Sequence, residues 1–298
     1  MIDGVVRSAT AADTAAVQAL CKLLDPADYV PDAWPIWLNV ANAVNLLADV
    51  GGRVVGCLHG ELLTPQEAWA QAMRVHYDRN LVRASKQPQA PRRPEVQRRT
   101  IASQLLTALE AELRRRRAQV LRGTIDVSNR ASLALVRNAA WRIVARVCRR
   151  RAAGRIGHAE GALRATSAEA RALVRAAPVL VSRPHLALVK RAYFAMTDEH
   201  VVGLVRRGAV VVSQDRQAYA ILDPDAAQSS GALWVVAIAG NPASRREVLE
   251  DLVKEAGSSG LGVVVDSPAE PVLQSALDAM GFKTPERYGE FVVVEHWL

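Results

Sequence analysis

The hydrophobic pattern opens with Gly4-Val5-Val6-Arg7, a short apolar run, then a polar cluster from Ser8 to Asp13, then Ala15-Ala16-Val17-Gln18-Ala19-Leu20. A strand, a capping cluster and an amphipathic helix account for that order. Beyond the proline-broken stretch Pro31 to Pro35 the pattern predicts a helical run to Ala48. A hairpin follows, turning at Gly51-Gly52 into a β-branched strand over Arg53 to Leu58. Residues 67–75 predict another strand, and the basic, proline-rich stretch Arg83 to Arg93 predicts a mobile loop. Thr100 to Arg116 predicts a helix with Ile101, Leu105, Leu106, Leu109 and Leu113 on one face and arginines at its C-terminal end, where the dipole favours cations. Leu121 to Val127 then reads as a strand and Asn129 to Ala140 as a second amphipathic helix, followed by Trp141. The half is β-α-α-β-β-β-α-β-α-β, a mixed sheet with one parallel crossover.

The second half repeats the first. Leu163-Arg164-Ala165-Thr166-Ser167-Ala168-Glu169 echoes Val6 to Asp13 with one residue deleted, and Gly281-Phe282 stands where Ala140-Trp141 stood. Between these points lie a predicted hairpin (Ala209 to Leu222), strands at Leu233 to Ala239 and Leu261 to Asp266, and helices at Arg245 to Ala256 and Pro271 to Met280. Phe291 to His296 is the last strand. A repeat this long is a domain rather than a solenoid unit. The expected fold class is α/β (an α+β mixed sheet), built as two tandem domains, each a mixed, mostly antiparallel sheet flanked by helices. Their expected bounds are 1–150 and 163–298, with a linker at 151–162.

Length agrees: 298 residues, half of them apolar, suffice for two cores. Charge separates the halves. Residues 1–150 hold 22 Lys and Arg against 13 Asp and Glu, net +9, whereas the remainder is net −1. The basic half therefore expects an anionic partner. The acidic start Met-Ile-Asp-Gly does not resemble a signal peptide, and no apolar run reaches the length of a membrane helix, so a cytoplasmic protein with no membrane partner is expected. Cys21, Cys57 and Cys148 are widely spaced and the histidines lack ligand spacing, so neither a disulfide framework nor a metal site is expected.

Gln97-Arg98-Arg99-Thr100-Ile101-Ala102-Ser103 leads from the basic loop into the predicted helix. Unsatisfied N–H groups at a helix start, with flanking arginines, make an anion site; a solvated basic loop reads the same way. With the order of elements, three segments resemble the GCN5-related N-acetyltransferase (GNAT) superfamily. Gln97 to Ala102 matches the first and last positions of its [QR]-x-x-G-x-[GA] pyrophosphate motif. Asn129 to Trp141 keeps the Asn, a Leu and the terminal aromatic of N-x-x-A-x-x-L-Y-x-x-x-G-F, and Glu67-Ala68-Trp69-Ala70-Gln71-Ala72-Met73-Arg74-Val75 is similar to the family's fourth strand. The chain thus resembles a tandem GNAT protein with a degenerate second copy.

That resemblance implies an N-acetyltransferase moving an acetyl group from acetyl-CoA to a primary amine, on a small molecule or a peptide, by direct attack. Met73, Arg74 and Val75 would bond the pantetheine, Arg98 to Ser103 with Gln97 would cradle the pyrophosphate, and Asn129 would lie near the pantetheine arm. Tyr29, Trp34 and Trp37 fall in the region that covers the acceptor. Glu67 and His76 are the leading candidates for proton transfer, with Glu61 and Tyr77 behind them. Three departures stand out. Thr100 replaces the motif glycine, Val136 the usual Tyr, and Gln71 a strand-four Glu found in some relatives. They motivate an alternative, a decayed member that binds nucleic acid or protein through Arg114 to Arg117, Arg149 to Arg151 and the basic loop. In the second half Pro242 removes a backbone donor where a phosphate would sit, and Gly257 to Gly262 reads as a turn.

Overall fold

The computed structural model describes residues 4–76, 94–155, 162–176, 186–189, 192–225, 230–286 and 289–298. The basic loop at 83–93, Tyr77 and linker residues 156–161 lie outside them. The chain forms two compact units: Met1–Gly123 with Arg130–Arg142 and Glu295–Leu298, and Thr124–Asn129 with Ile143–Val294. The division is therefore not a single cut near residue 150. Residues 143–153 belong to the second unit because they run in a strand, Arg142–Ala153, paired with Gly262–Pro268. Residues 295–298 belong to the first because Arg122 holds Glu295 and the Leu298 amide donates to the Gln119 carbonyl.

In the first unit β1 (Gly4–Ser8), β2 (Ala43–Val50), β3 (Arg53–Leu62) and β4 (Glu67–Val75) pair antiparallel in sequence order, and β5 (Val120–Asp126) joins β4 in parallel. Helices α1 (Thr14–Leu24) and α2 (Val30–Trp37) cover one face, where Val17, Leu20, Cys21, Val30 and Trp34 pack on Leu47, Cys57 and Ala72. Helix α3 (Pro94–Arg115) covers the other. Its Leu105 and Leu109 pack closely on β3 at Gly56 and Gly60: a Cβ at Gly60 would stand 2.4 Å from Leu109, so that side chain would have to shift. Helix α4 (Arg130–Asn138) follows β5.

Two sequence expectations change here. The predicted helical run to Ala48 is strand β2 from Ala43 onward, and the helix lies earlier, across Pro31 to Pro35. Pro31 sits at the start of α2, where no amide is needed. Pro35 leaves the Pro31 carbonyl without its helical partner, and Gln18 Nε2 donates to that oxygen instead, at 3.1 Å. The second change is that α3 begins at Pro94, not Thr100. Proline at the first helical position followed by an acid, Glu95, is a start signal the apolar pattern alone passes over.

The second unit's strands are β6 (Arg142–Ala153), β7 (Leu163–Arg164), β8 (Leu186–Val189), β9 (Ala192–Ala195), β10 (Val210–Val212), β11 (Ala218–Leu222), β12 (Ala232–Gly240), β13 (Gly262–Pro268) and β14 (Glu290–Trp297). Its main sheet runs β14-β6-β13-β12-β11-β10-β7, and β8 and β9 form a separate antiparallel hairpin. Helices α5 (Ser167–Ala176), α6 (Asp198–Arg206), α7 (Pro242–Ser258) and α8 (Pro271–Ala279) complete it.

The sequence repeat survives as repeated local geometry. Asp13 accepts from the Thr10 amide and hydroxyl at 2.8 and 2.9 Å, and Glu169 accepts from both groups of Thr166 at 2.8 Å. Helices α4 and α8 both end on a left-handed residue, Ala140 (φ 61°) and Gly281 (φ 85°), and the next amide, of Trp141 or Phe282, reaches back to Val136 or Leu277. Glycine adopts this conformation freely and alanine does not. Ala140→Gly is therefore expected to raise stability by about 1 kcal/mol, read as a higher urea midpoint at unchanged slope.

Candidate active site in the first unit

β4 pairs with β3 along its whole length but with β5 only over Glu67, Ala68 and Trp69. From Ala70 to Val75 its second edge has no paired strand among the described residues. Gly123 on β5 still lies close to Ala70, where a Cβ would stand 3.0 Å from the Ala70 carbonyl. The edge is bent as well. The β3–β4 register shifts between Cys57 and His59, and Ala72 adopts φ 61°, a bulge that adds one residue to β4. A bulged strand edge without a partner strand is the feature an extended, amide-bearing ligand would pair with, although the Met73 carbonyl here already accepts from Arg74 Nη1 at 3.2 Å.

Met73, Arg74 and Val75 lie on this edge. The Arg74 side chain is not free. Its Nε and Nη2 donate to Asp28 at 2.6 and 2.8 Å, and it lies 5.8 Å over the Tyr29 ring. Burial works to lower the guanidinium pKa, but the Asp28 bonds outweigh it and hold the group above its ordinary value. Asp28 and Arg74 thereby pin the α1–α2 connection to β4. The three expected pocket aromatics do come together: Tyr29 meets Trp37 edge-on at 6.1 Å, and Trp37 meets Trp34 at 6.3 Å. Trp34 is completely buried in the core, however, and has no face to offer a substrate.

The pyrophosphate segment sits differently from expectation. Because α3 begins at Pro94, residues 97–102 lie within the helix, and the amides of Arg98 to Ser103 turn toward carbonyls one turn back. Free amides are confined to the first turn, at Glu95 and Val96, since Pro94 has none. Within the motif Ile101 is buried against the sheet, its Cγ2 3.3 Å from where a Cβ at Gly56 would stand, while Thr100 and Ala102 are half-buried and Ser103 is exposed. The side chains of Gln97, Arg98 and Arg99 lie outside what the structure describes. Asn129 falls in the 124–129 segment of the second unit, its amide on the Asp126 carbonyl at 2.9 Å.

Neither leading proton-transfer candidate fits as expected. Glu67 is held 3.0 Å from Nη1 of the buried Arg122, whose Nε donates to Glu295 at 2.8 Å, so its charge is committed to an ion pair. His76 follows the last residue of β4, half-buried, with its amide on the Val55 carbonyl. A different histidine is better placed. His59 on β3 is fully buried, stacked on Trp37 at 4.3 Å, with Nδ1 2.8 Å from Asn45 Oδ1 and Nε2 3.7 Å from Glu61 Oε2. The spacing Cys57-x-His59-x-Glu61 is the available signal, since alternate strand residues share a face. The Cys57 thiol beside it is held well above its ordinary pKa by its hydrogen bond with Cys21 and by burial, so it stays protonated.

The second unit repeats the open edge, since β12 pairs with β13 only over Ala232 to Val235. Its helix start is used up. Only Asn241 separates β12 from α7, and its Oδ1 accepts from the Ala243 amide at 2.9 Å. Gly257 to Gly262 is a helix-ending turn, as expected, with Gly260 left-handed. Among the described residues no cluster of His, Cys, Asp and Glu could hold a metal ion, and no helix is long and apolar enough to cross a membrane.

An antiparallel sheet with one parallel crossover, a central helix and a bulged, open fourth strand defines the acyltransferase-like class to which these observations point. Residues 17–140 match the acetyltransferase (GNAT) family. Three solved structures share the fold. A GCN5-related N-acetyltransferase from Sphaerobacter thermophilus matches with a TM-score of 0.58 at 14% identity, over 99% of this chain and 95% of its own. An acetyltransferase candidate from Thermoplasma acidophilum matches at 0.60 and 14%, over 99% and 100% of the two chains. One from Pyrococcus horikoshii matches at 0.57 and 14%, over 100% and 90%. No curated protein matches the sequence.

Proposed function

We propose that the protein is an N-acyltransferase that takes an acetyl group from acetyl-CoA and passes it to a primary amine. The observation that carries this reading is the unpaired edge of β4 from Ala70 to Val75, with its bulge at Ala72. The residues there fit the pantetheine arm, whose amides need strand-like partners, through the backbone of Met73, Arg74 and Val75. Acetyl-CoA would supply the activated acyl group as a thioester.

The packing of α3 gives the ligand a direction. Ile101 and Leu105 sit over Gly56, which is paired with Val75, while Leu109 sits over Gly60, paired with Ala70. The start of α3 is therefore toward the Val75 end, and the diphosphate belongs there, near the free amides of the first turn and the arginines that follow. The reactive end then lies toward Ala70 and Gln71. His76 is six residues from Ala70, about 20 Å along a strand, too far to serve that end. Trp37 and Tyr29 are assigned to the acceptor side, and the enzyme to the cytoplasm.

Several arginines of the runs behind the nucleic-acid alternative are engaged in ion pairs. Arg115 and Arg116 both bond Glu112, and Arg149 bonds Asp266 through two nitrogens at 2.7 Å while lying over Trp234 and Phe291. The acyltransferase reading is tested by titrating acetyl-CoA calorimetrically into the full chain. Saturable heat is expected; none at high-micromolar protein and ligand overturns the reading. An intact mass showing CoA retained through purification would support it independently.

A further inference from the structure

A neutral imidazole carries a proton on one nitrogen and a lone pair on the other. In His59 the partner Asn45 decides which. Asn45 Nδ2 donates to the Trp37 carbonyl at 3.1 Å, so its Oδ1 faces His59 Nδ1 at 2.8 Å and accepts the proton there. Nε2 is then the basic atom. It is buried without a hydrogen-bond partner, and Glu61 Oε2 stands 3.7 Å away. Two acceptors thus face each other with no donor between them. A cation bearing N–H groups would satisfy both.

The surroundings define the gap further. The Glu61 side chain is 31% exposed, whereas His59 is fully buried, and Trp37 walls the imidazole face. Of the elements packed around His59, β2 contributes Asn45, α2 contributes Trp37 and β4 contributes Gln71, none of which ionises; on β3 itself stand Glu61 and the neutral thiol of Cys57. His59 is also the register partner of Gln71, one residue into the open edge of β4. Adjacent strands are about 4.8 Å apart, which brings His59 beside the end of the edge assigned to the acyl group.

We propose that the partly exposed Glu61 side chain swings outward to admit the ammonium of the acceptor between its carboxylate and His59, and that His59 Nε2 takes its proton. The inference rests on the acyltransferase reading. One ammonium N–H bond breaks and an Nε2–H bond forms; the lone pair freed on the amine nitrogen becomes the nucleophile. Glu61 holds the resulting imidazolium until its proton passes to solvent. A single carboxylate next to an imidazole stacked on Trp37 selects a primary monoamine with an apolar or aromatic body.

Nuclear magnetic resonance of the full chain with ¹⁵N-labelled histidine rings, His59 being assigned by its loss in His59→Gln, tests the seat directly. Nδ1 is expected to be protonated and Nε2 bare. n-Butylammonium should move the Nε2 signal saturably, n-butanol should not, and Glu61→Gln should weaken the effect at least about tenfold. The reverse tautomer, or an Nε2 signal indifferent to the ammonium, overturns the proposal, and Glu61→Gln, at a partly exposed position, keeps the test open if His59→Gln fails to fold. In parallel, His59→Gln should bind acetyl-CoA as wild type does but release thiol from it, with a panel of alkyl- and arylalkylamines, about 100-fold more slowly and without the wild-type rise with pH. Retention of rate and pH profile overturns the proposal, as does failure of the wild type to use any amine of the panel while binding acetyl-CoA. Absence of acetyl-CoA binding to wild type would instead sink the acyltransferase reading, whatever the ring nitrogens show.

Discussion

Arg122→Met is expected to lower the stability of the first unit by about 3–5 kcal/mol, the usual cost of stripping a buried ion pair of one partner. The Arg122 side chain is 5% exposed and lies between two carboxylates, Glu67 at 3.0 Å and Glu295 at 2.8 Å, the latter 1% exposed and also accepting from Trp297 Nε1 at 3.1 Å. Methionine matches the length of the aliphatic stem but leaves two like charges facing each other away from water. The triple variant Arg122→Met, Glu67→Gln, Glu295→Gln should recover most of the loss, because no charge is then left buried. Urea denaturation of the three proteins checks this; a single variant within about 1 kcal/mol of wild type would mean that water reaches the site. The same measurement on a chain ending at Val294 should show a comparable loss, since Glu295 goes with the tail.

Arg74→Met should cost a similar amount, about 3–5 kcal/mol, and its damage should be local to the α1–α2 connection. Asp28 has a side chain only 1% exposed and is bonded by two guanidinium nitrogens. Without them the carboxylate must either be protonated or pull the connection away from β4. Asp28→Asn combined with Arg74→Met should restore stability, and hydrogen exchange should show faster opening of residues 25–37 in the single variant alone. The double variant also separates backbone from side chain at this position. If Arg74 contributes only its backbone to acetyl-CoA, the double variant binds acetyl-CoA as wild type does. A large loss of binding with stability restored would place the guanidinium itself on the ligand.

The elements legible in the sequence are those whose cause lies within a few residues. β4 at Glu67–Val75 has the bounds expected for it, and the last strand and the α8 helix lie within a residue or so of theirs. The sequence pattern misses helix α2 because two prolines count against a helix in isolation. Only Gln18, thirteen residues away on α1, supplies the donor that Pro35 cannot. Val44, Leu46 and Leu47 fit one turn of a helix as readily as a strand, and their pairing with both β1 and β3 makes Ala43–Val50 a strand. The candidate site is legible only in part. Met73 to Val75 stand out through their strand, whereas Asn45 and His59 carry no motif and meet across two strands.

The sequence by itself determined the strands and helices with strong periodicity, the duplicated caps at Thr10 and Thr166, the matching helix ends at Ala140 and Gly281, and the concentration of positive charge in the first half. Each depends on hydrogen bonds or side-chain spacing inside one turn, or on plain counting. Tertiary structure alone decided that Glu67 is committed to Arg122, that Asp28 meets Arg74 across 46 positions and Arg122 meets Glu295 across 173, and that Asn45 meets His59. Those contacts depend on strand register and on which segments share a core. Both are settled by packing the whole chain, because no local pattern specifies which distant charge or lone pair will be buried beside which.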